Sequence, residues 1–401
     1  MRYIIVCVIV SMALHIYAKT IDFEESITYG IINSTFASEA EKNRLEAFGS
    51  LFDEMSVPNP ELSFEYNPDN HAREIAISQP FRISNITLSG SFYKQLLKKI
   101  DGFEKQLDLL RVYHHVSLLY YDLYVIQEEA HYMQERLNFL NRVSRTVHRS
   151  INKNNLSIGE IYAFDADILS ARAEMEQMNQ TLSGQQLLFV QALKLSGDTV
   201  SLKKPPMITV STSLDNMLSN LEKYPTKRKM LSMRYQQAKE QVSISKQDRF
   251  APIIAPKIGY GNDNYEKKDE WKIGVAVSIP LWNRNSNRHD ALKANERFLK
   301  NELNALDNVN FEEVVTRAYN RLTSQIETVN NYQTRILPAY ERSLNRIEAS
   351  FLRGQISIFD VWQIREKYSQ AQGQSLTALR NALLAKIELE QLLGTRLEDI
   401  E

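Results

Sequence analysis

The sequence predicts a mainly α-helical protein with a small β part, in which a unit of helix, hairpin, long helix and helix occurs twice. Three observations predict this fold class. Glycine and proline are scarce, at 13 and 11 of 401 residues, which favours long uninterrupted helices. Apolar residues recur every three or four positions over two long segments. Shorter segments alternate apolar with small or polar residues, which is the period of a β-strand.

Two long segments are predicted to be helices, about 88–153 and about 287–353. In the first, apolar residues between Leu119 and Val147 step by three or four positions with one interruption at Ser144, as in a coiled coil. At 1.5 Å per residue each segment would extend ~100 Å as one helix. Pro338 lies inside the second segment, where we expect a bend and not an end, because the apolar spacing continues on both sides. A simple coiled-coil rod is the alternative.

Two hairpins argue against a rod. In the second half of the chain, alternating residues predict strands at about 253–261 and about 271–282. In the first half, the same pattern predicts strands at about 61–67 and about 73–83. Each pair is separated by Asn, Asp, Gly or Pro residues, which are typical of turns.

The two halves align as an internal duplication. Residues 75–81 match residues 275–281 at an offset of 200, and both contain Ala-x-Ser-x-Pro. Residues 159–165 match residues 354–360 at an offset of 195, and Leu195-Ser196-Gly197 matches Leu392-Leu393-Gly394 at 197. The resulting division is a first repeat at 19–204 with a final helix at about 160–196, and a second repeat at 205–401 with a final helix at about 357–394.

Residues 1–18 are predicted to be a secretory signal peptide. Arg2 gives the positive start, an apolar run extends from Ile4 to Leu14, and Ala18 is the small residue expected at a cleavage site. The run is shorter than the ~20 residues of a membrane-spanning helix, and an N-terminal anchor is the alternative. Cys7, the only cysteine, falls in this segment, so the mature chain would have no thiol for disulfides or thiolate catalysis.

Charge and motifs exclude several functions. Lys and Arg number 48 against 49 Asp and Glu, so the chain lacks the basic surplus that binds nucleic acid. Glu128 and His131 have the spacing of a di-metal helix motif, but the second copy that such a site needs is missing. The adjacent His114 and His115 point about 100° apart on a helix, which is poor geometry for binding one metal ion together. We therefore expect no enzyme, no metal, no cofactor and no nucleic-acid partner.

The hairpin strands have the length and alternation of outer-membrane strands, with an apolar face that includes Ile75, Ile77, Val275 and Val277. Trp271 and Trp282 lie at strand ends, where aromatic rings meet the membrane interface. Four strands cannot close a barrel, and an open sheet edge cannot face lipid, so we expect several chains to contribute, with eight strands from a dimer or twelve from a trimer. An amphipathic hairpin packed on soluble helices is the alternative.

The repeat, the Pro-Leu-Trp-Asn-Arg-Asn strand exit at 280–285 and the turn at 353–360 resemble the TolC-type outer-membrane efflux proteins, closest to the heavy-metal, CzcC-like branch. The resemblance implies a homotrimer whose twelve-stranded β-barrel lies in outer-membrane lipid and continues into a long periplasmic α-helical barrel. It implies a passive exit duct for an efflux or secretion system, with an inner-membrane pump and a periplasmic adaptor protein as partners. The rival hypothesis is a soluble periplasmic coiled-coil scaffold or adaptor.

The same resemblance implies where the functional residues lie. Acidic residues after the second turn line the tunnel entrance in the family, which makes Asp360 an aperture candidate; the acidic position three residues further on in some members is Gln363 here. Asp165 and Asp167 are the equivalents in the first repeat. Acids in the first turn of a helix are the structural alternative. By analogy, Gly159 and Gly354 are the tips that contact the adaptor.

Overall fold

A computed structural model describes residues 19–54, 56–67, 72–82, 88–149, 158–195, 199–224, 226–249, 251–263, 268–279, 286–307, 310–353 and 355–400. The predicted signal peptide lies outside the described residues, as do two of the predicted site residues, Trp282 and Gly354.

The described chain contains long helices and short strands in the following order: β1 (Lys19–Ile21), α1 (Phe23–Asn33), α2 (Thr35–Glu54), β2 (Glu61–Asn67), β3 (Ala72–Ser78), β4 (Phe81–Arg82), α3 (Leu88–Arg149), α4 (Ile158–Leu193), β5 (Val200–Leu202), α5 (Leu214–Ser219), α6 (Lys227–Asp248), β6 (Ile253–Asp263), β7 (Lys268–Ser278), α7 (Ser286–Asp307), α8 (Phe311–Asn331), α9 (Leu337–Leu352) and α10 (Ile358–Leu393). A π-helical turn, Tyr332–Ile336, joins α8 to α9, and 3-10 turns occupy Leu221–Lys223 and Leu397–Asp399.

The chain divides into two compact units. Unit 1 comprises residues 1–39, 108–218 and 314–401, and unit 2 comprises residues 40–107 and 219–313. Unit 1 is built on the packed helices α3, α4, α9 and α10, and one of its clusters of buried side chains includes Phe139, Leu140, Phe164, Ile168 and Phe351. Phe164, Ile168 and Ala171 of α4 recur at the three- and four-residue spacing that places side chains on one face of a helix.

A short parallel pair of strands adds to unit 1. β1 pairs with β5 in the register Lys19↔Val200 to Ile21↔Leu202. The side-chain amide of Gln127 on α3 donates to the carbonyl of Val200 and accepts from the backbone N–H of Leu202. The pair of strands is thus hydrogen-bonded to the long helix as well as to itself.

Unit 2 combines helices with one antiparallel sheet. Its buried cluster brings together α2, α3 and α6 through side chains that include Phe48, Leu97, Ile100, Met230 and Ile244. The sheet has the order β2-β3-β6, with β7 paired to the other side of β6 and the short β4 also paired to β6. The sheet joins the hairpins of both sequence repeats, because β3 of the first pairs with β6 of the second.

The second long segment is not the single helix predicted over 287–353. α7 ends at Asp307 and α8 begins at Phe311, and Asn310 between them is not helical. The side-chain oxygen of Asn310 accepts a hydrogen bond from the backbone N–H of Glu313 at 3.4 Å, which is an N-cap interaction. The apolar spacing continues across this point, but the local cap ends one helix and starts another.

The backbone remains helical around Pro338, with a wider turn just before it. The backbone N–H of Leu337 donates to the carbonyl of Tyr332, five residues back, which defines a π turn. Proline has no N–H to continue the α-helical ladder, so a local rearrangement next to it is expected.

The strand predicted at 73–83 is interrupted. β3 ends at Ser78, and β4 resumes at Phe81 after Gln79 and Pro80. The backbone N–H of Gln79 still donates to the carbonyl of Pro256 at 3.1 Å, whereas Pro80 has no N–H to donate. The second predicted strand of the other hairpin, 271–282, begins earlier and is described as Lys268–Ser278.

Candidate membrane surface and channel tips

The register of the sheet separates its side chains into two faces. Ile75 lies opposite Tyr260, which lies opposite Trp271, so the three form one row across β3, β6 and β7. The next row consists of Ile77, Ile258 and Ile273. Because side chains alternate along a strand, these rows share one face, and the residues between them point to the other.

One face of the sheet is apolar and exposed. The predicted membrane-facing residues Ile75, Ile77, Val275 and Val277 are 50%, 47%, 64% and 54% exposed, and Trp271 is 72% exposed. Further large exposed side chains on this face are Leu62, Phe64, Tyr66, Ile258, Tyr260 and Ile273. Single exposed apolar residues are ordinary, but a continuous patch of this extent indicates a surface that contacts a membrane or another protein.

The opposite face carries small and charged side chains. The ammonium of Lys257 lies 3.1 Å from a carboxylate oxygen of Glu65 and 3.2 Å from one of Glu74, and the ammonium of Lys272 lies 3.1 Å from the other oxygen of Glu74. Gly259 lies between these charges, and a Cβ there would come within 2.9 Å of the Cβ of Ala76. The paired charges and small residues make this the polar face.

The sheet has open edges within the described residues. β2 pairs only with β3, and β7 pairs only with β6. The outer backbone N–H and C=O groups of both strands therefore have no partner strand within the described part of this chain. Such groups are costly in lipid unless another strand pairs with them.

The start of α10 places Asp360 in a capping box. The backbone N–H of Asp360 donates to the hydroxyl of Ser357 at 3.2 Å, and the backbone N–H of Ser357 donates to the Asp360 carboxylate at 3.2 Å. This interaction satisfies backbone donors at the helix N-terminus. Asp360 and Gln363 are both exposed, so a helix-capping role and a solvent-facing position coexist at Asp360.

The first-repeat positions have different surroundings. Gly159 is exposed and is the second residue of α4, so it lies inside the helix and not in the turn that its alignment with Gly354 predicts. Asp165 and Asp167 are half-buried and lie in the second turn of α4 or beyond. α4 begins at Ile158, whereas the aligned α10 begins at Ile358, which corresponds to residue 163 at the offset of 195. The acid after the cap is therefore found only in the second of these two helices.

The sequence analysis missed a buried polar network in unit 1. Glu390 is fully buried, and its carboxylate lies 2.8 Å from Nε2 of His114 and 3.8 Å from the ammonium of Lys386, while it accepts the backbone N–H of Leu397 at 2.9 Å. Lys386 also pairs with Glu398. The i, i+4 spacing of Lys386 and Glu390 was a signal in the sequence, but nothing local indicated that the pair is buried.

The network shifts the pKa values of its members. Burial acts to lower the pKa of Lys386, but the negative charges of Glu390 and Glu398 outweigh it and raise that pKa above its ordinary value. Burial acts to raise the pKa of Glu398, but the hydrogen bond and charge of Lys386 outweigh it and lower that pKa. Both side chains therefore stay charged across the neutral range.

The histidines considered as metal ligands have other contacts. His131 lies 3.3 Å from Glu135, one turn further along the same helix, and His115 stacks on Phe36 with ring centroids 4.7 Å apart. Among the described residues, no group of three or more His, Cys, Asp or Glu side chains is arranged to hold a metal ion. None of the described helices is both long enough and apolar enough to cross a membrane.

Comparison with known proteins shows what the chain is similar to. Residues 229–395 match the family model for the outer membrane efflux protein. The structure is similar to that of CusC, with a TM-score of 0.67 and 14% identity over 93% of this chain and 92% of that chain. It is also similar to the outer membrane protein VceC from Vibrio cholerae, with a TM-score of 0.64 and 15% identity over 94% and 96% of the two chains.

A third similar structure is the MtrE outer membrane channel from Neisseria gonorrhoeae, with a TM-score of 0.62 and 12% identity over 94% of this chain and 89% of that chain. No curated protein matches the chain by sequence. The chain therefore has the fold of outer-membrane channel proteins, and its second half carries the sequence pattern of outer membrane efflux proteins.

Proposed function

We propose that this protein is the outer-membrane exit duct of a tripartite efflux or secretion system. The observation that carries the proposal is the sheet of unit 2, which exposes large apolar side chains on one face and carries small and paired charged side chains on the other. A membrane strand has this alternation, with the apolar face toward lipid and the polar face toward a lumen.

The open edges of the sheet support a homotrimer. Each copy supplies four strand positions, β2, β3 with β4, β6 and β7, so three copies supply twelve. Pairing β7 of one copy with β2 of the next satisfies the edge groups that lipid cannot. The sheet then closes as a β-barrel, and the long helices form a periplasmic helical barrel beneath it.

The duct itself is passive in this proposal. An inner-membrane pump supplies the energy, and a periplasmic adaptor protein contacts the chain at Gly159 and Gly354. Asp360 and Gln363 lie near the tunnel entrance, with Asp165 and Asp167 as their first-repeat equivalents. The heavy-metal branch of the family is the finer assignment, and the Asn-Arg-Asn at 283–285 supports it.

The first test is cell fractionation followed by the native mass of the detergent-extracted protein. We expect a trimer in the outer-membrane fraction. Val275→Lys together with Val277→Lys should abolish membrane insertion, since a lysine on the lipid face costs about 2–4 kcal/mol near the bilayer centre. Gly274→Lys is the matched control, because Gly274 is next to Val275 in the same strand, lies on the polar face and has open space around it.

Equal recovery of both variants from the membrane would contradict a lipid-facing sheet. A soluble monomer or dimer in the wild-type fractionation would replace the duct with the rival hypothesis of a periplasmic scaffold or adaptor protein.

A further inference from the structure

A groove lies wholly within unit 1. It has a volume of about 330 Å³ and is lined by α3, by α8 to α10 and by the segment 204–208. This volume falls in the range of about 300–1,000 Å³ that small-molecule sites occupy. The groove includes Glu128, which the sequence singled out and which the duct proposal does not use.

Glu128 places an acid at the wall of the groove between two aromatic rings. Tyr124 and Tyr132 are four residues before and after it on α3, so all three share one face of the helix and all three line the groove. Glu128 is half-buried, and neither a hydrogen bond nor an ion pair joins its carboxylate to another described residue.

The two tyrosines remain neutral and lie within the field of this carboxylate. Burial, followed by the negative charge of Glu128, raises the pKa of Tyr124 to about 12. The same two causes in the same order raise the pKa of Tyr132. A carboxylate and neutral aromatic rings that line the same groove are the combination that attracts organic ammonium groups.

The remaining walls fit an apolar body. Leu376, Leu379 and Val329 contribute aliphatic surface, and Gln333 lies in the π turn. π turns are rare and occur frequently at functional sites. Lys204 also lines the groove, but it is exposed, so water screens its charge more than that of the half-buried Glu128.

We propose that this groove binds an organic cation with an apolar body, with its ammonium group at Glu128 between Tyr124 and Tyr132 and its apolar part against Leu376. The proposal does not depend on the duct function, because the groove lies wholly within unit 1 and binding is measured on the purified protein.

The test is calorimetric titration of the full-length protein, in a non-ionic detergent, with benzyltrimethylammonium and with benzenesulfonate, an aromatic anion. We expect saturable binding of the cation and at least tenfold weaker binding of the anion. Glu128→Gln should weaken cation binding at least tenfold. Glu129→Gln should change it less than twofold; this adjacent residue of the same helix does not line the groove and is the matched control.

Substitutions at Tyr124 separate the contribution of its aromatic ring from that of its hydroxyl. Tyr124→Phe keeps the aromatic face and should preserve binding within about threefold, whereas Tyr124→Leu should weaken it at least fivefold. Native mass and thermal midpoint identify any variant that fails to fold, and the cation-against-anion comparison on the wild-type protein does not depend on variants. Absence of saturable cation binding, equal affinity for cation and anion, or unchanged binding in a folded Glu128→Gln protein would overturn the proposal.

Discussion

Phe164 and Phe359 occupy aligned positions in the two halves of the chain, yet their surroundings are opposite. Phe164 is 7% exposed and packs among residues of α3 and α9 that include Phe139 and Phe351. Phe359 is 62% exposed, and its ring contacts only that of Trp362 among the aromatic pairs described for it. The difference shows that the aligned motif does not by itself determine burial, because the surrounding helices decide which copy is packed.

The C-terminal ends of α4 and α10 also differ between the two halves. α4 ends at Leu193 and is followed by Lys194 with φ of 51°, whereas α10 ends at Leu393 and is followed by Gly394 with φ of 72°. Glycine adopts this left-handed conformation without a steric penalty, and lysine does not. The sequence alignment pairs Gly197 with Gly394, but the left-handed residue that follows α4 is Lys194. The alignment therefore locates the left-handed position only in the second half of the chain.

The largest effect expected from this comparison is at the two phenylalanines. Phe164→Ala should lower the free energy of unfolding by about 3–5 kcal/mol, because it leaves a cavity in a packed cluster. Phe359→Ala should change it by less than about 0.5 kcal/mol, because an exposed ring leaves no cavity. Denaturant or thermal unfolding monitored by circular dichroism measures both. Equal losses would show that Phe359 is buried in the assembled protein.

A comparable loss of stability is expected at Glu390, three residues before the end of α10. The residue three before the end of α4 is Val190, and both side chains are buried. Glu390→Ala should destabilise the protein by about 3–5 kcal/mol, since it leaves His114 buried without its partner and removes one of the two carboxylates that pair with Lys386. Glu390→Leu combined with Lys386→Met should recover part of this loss, because it replaces the Lys386–Glu390 pair with apolar groups, while His114 and the backbone N–H of Leu397 still lose their acceptor. A double variant as unstable as Glu390→Ala would contradict the ion-pair explanation. Thermal unfolding provides the measurement.

The same network predicts a pH dependence of stability. The pKa of Glu398 is lowered in the folded protein, so its contribution is present above the ordinary value of 4.5 and is lost as the pH falls through the folded value. The pKa of Lys386 is raised, so its contribution is present below the ordinary value of 10.5 and is lost as the pH rises through the folded value.

Thermal midpoints measured from pH 3 to pH 12 should therefore show a plateau with a decline on both sides, and Lys386→Met should make both declines shallower. Lys367→Met is the control, because Lys367 is an exposed residue of the same helix. Identical pH profiles for Lys386→Met and the wild type would exclude the network as the cause.

A smaller effect is expected at the start of α10. Asp360→Ala should destabilise the protein by about 0.5–2 kcal/mol, because it removes half of the capping box. Asp360→Asn retains a hydrogen-bond acceptor without the charge, so it should preserve stability. If Asp360 also lines the aperture, this variant should still change ion conductance in a planar bilayer. Unchanged conductance would leave Asp360 with the capping role alone.

The smallest effects are expected just after the helix ends. Lys194→Gly should stabilise the protein by up to about 1 kcal/mol, since it removes the steric cost of the left-handed conformation for a residue that has a Cβ. Gly394→Ala should destabilise it by about the same amount, for the same reason. Thermal midpoints that move in the same direction for both variants would contradict the conformational explanation.

Regular periods in the sequence were sufficient to locate the hairpins and most of α3, α4 and α10, because each period reports a side chain facing a core or a surface. The break at Asn310 was missed because apolar spacing continues through it, while a single side-chain cap ends the helix. The contact between His114 and Glu390 joins residues 276 positions apart, which no local pattern can indicate. The exposure of Phe359 was likewise set by distant packing.

The π turn between α8 and α9 also affects how the two halves are aligned residue by residue. Each i→i+5 hydrogen bond encloses one more residue than the i→i+4 bond of an α-helix. The phase of every later side chain therefore shifts by one position, about 100° around the helix axis. An alignment without a gap between the uninterrupted helix α3 and the segment α8 to α9 therefore goes out of phase by about 100° at Tyr332–Ile336, and a one-residue gap there restores the phase.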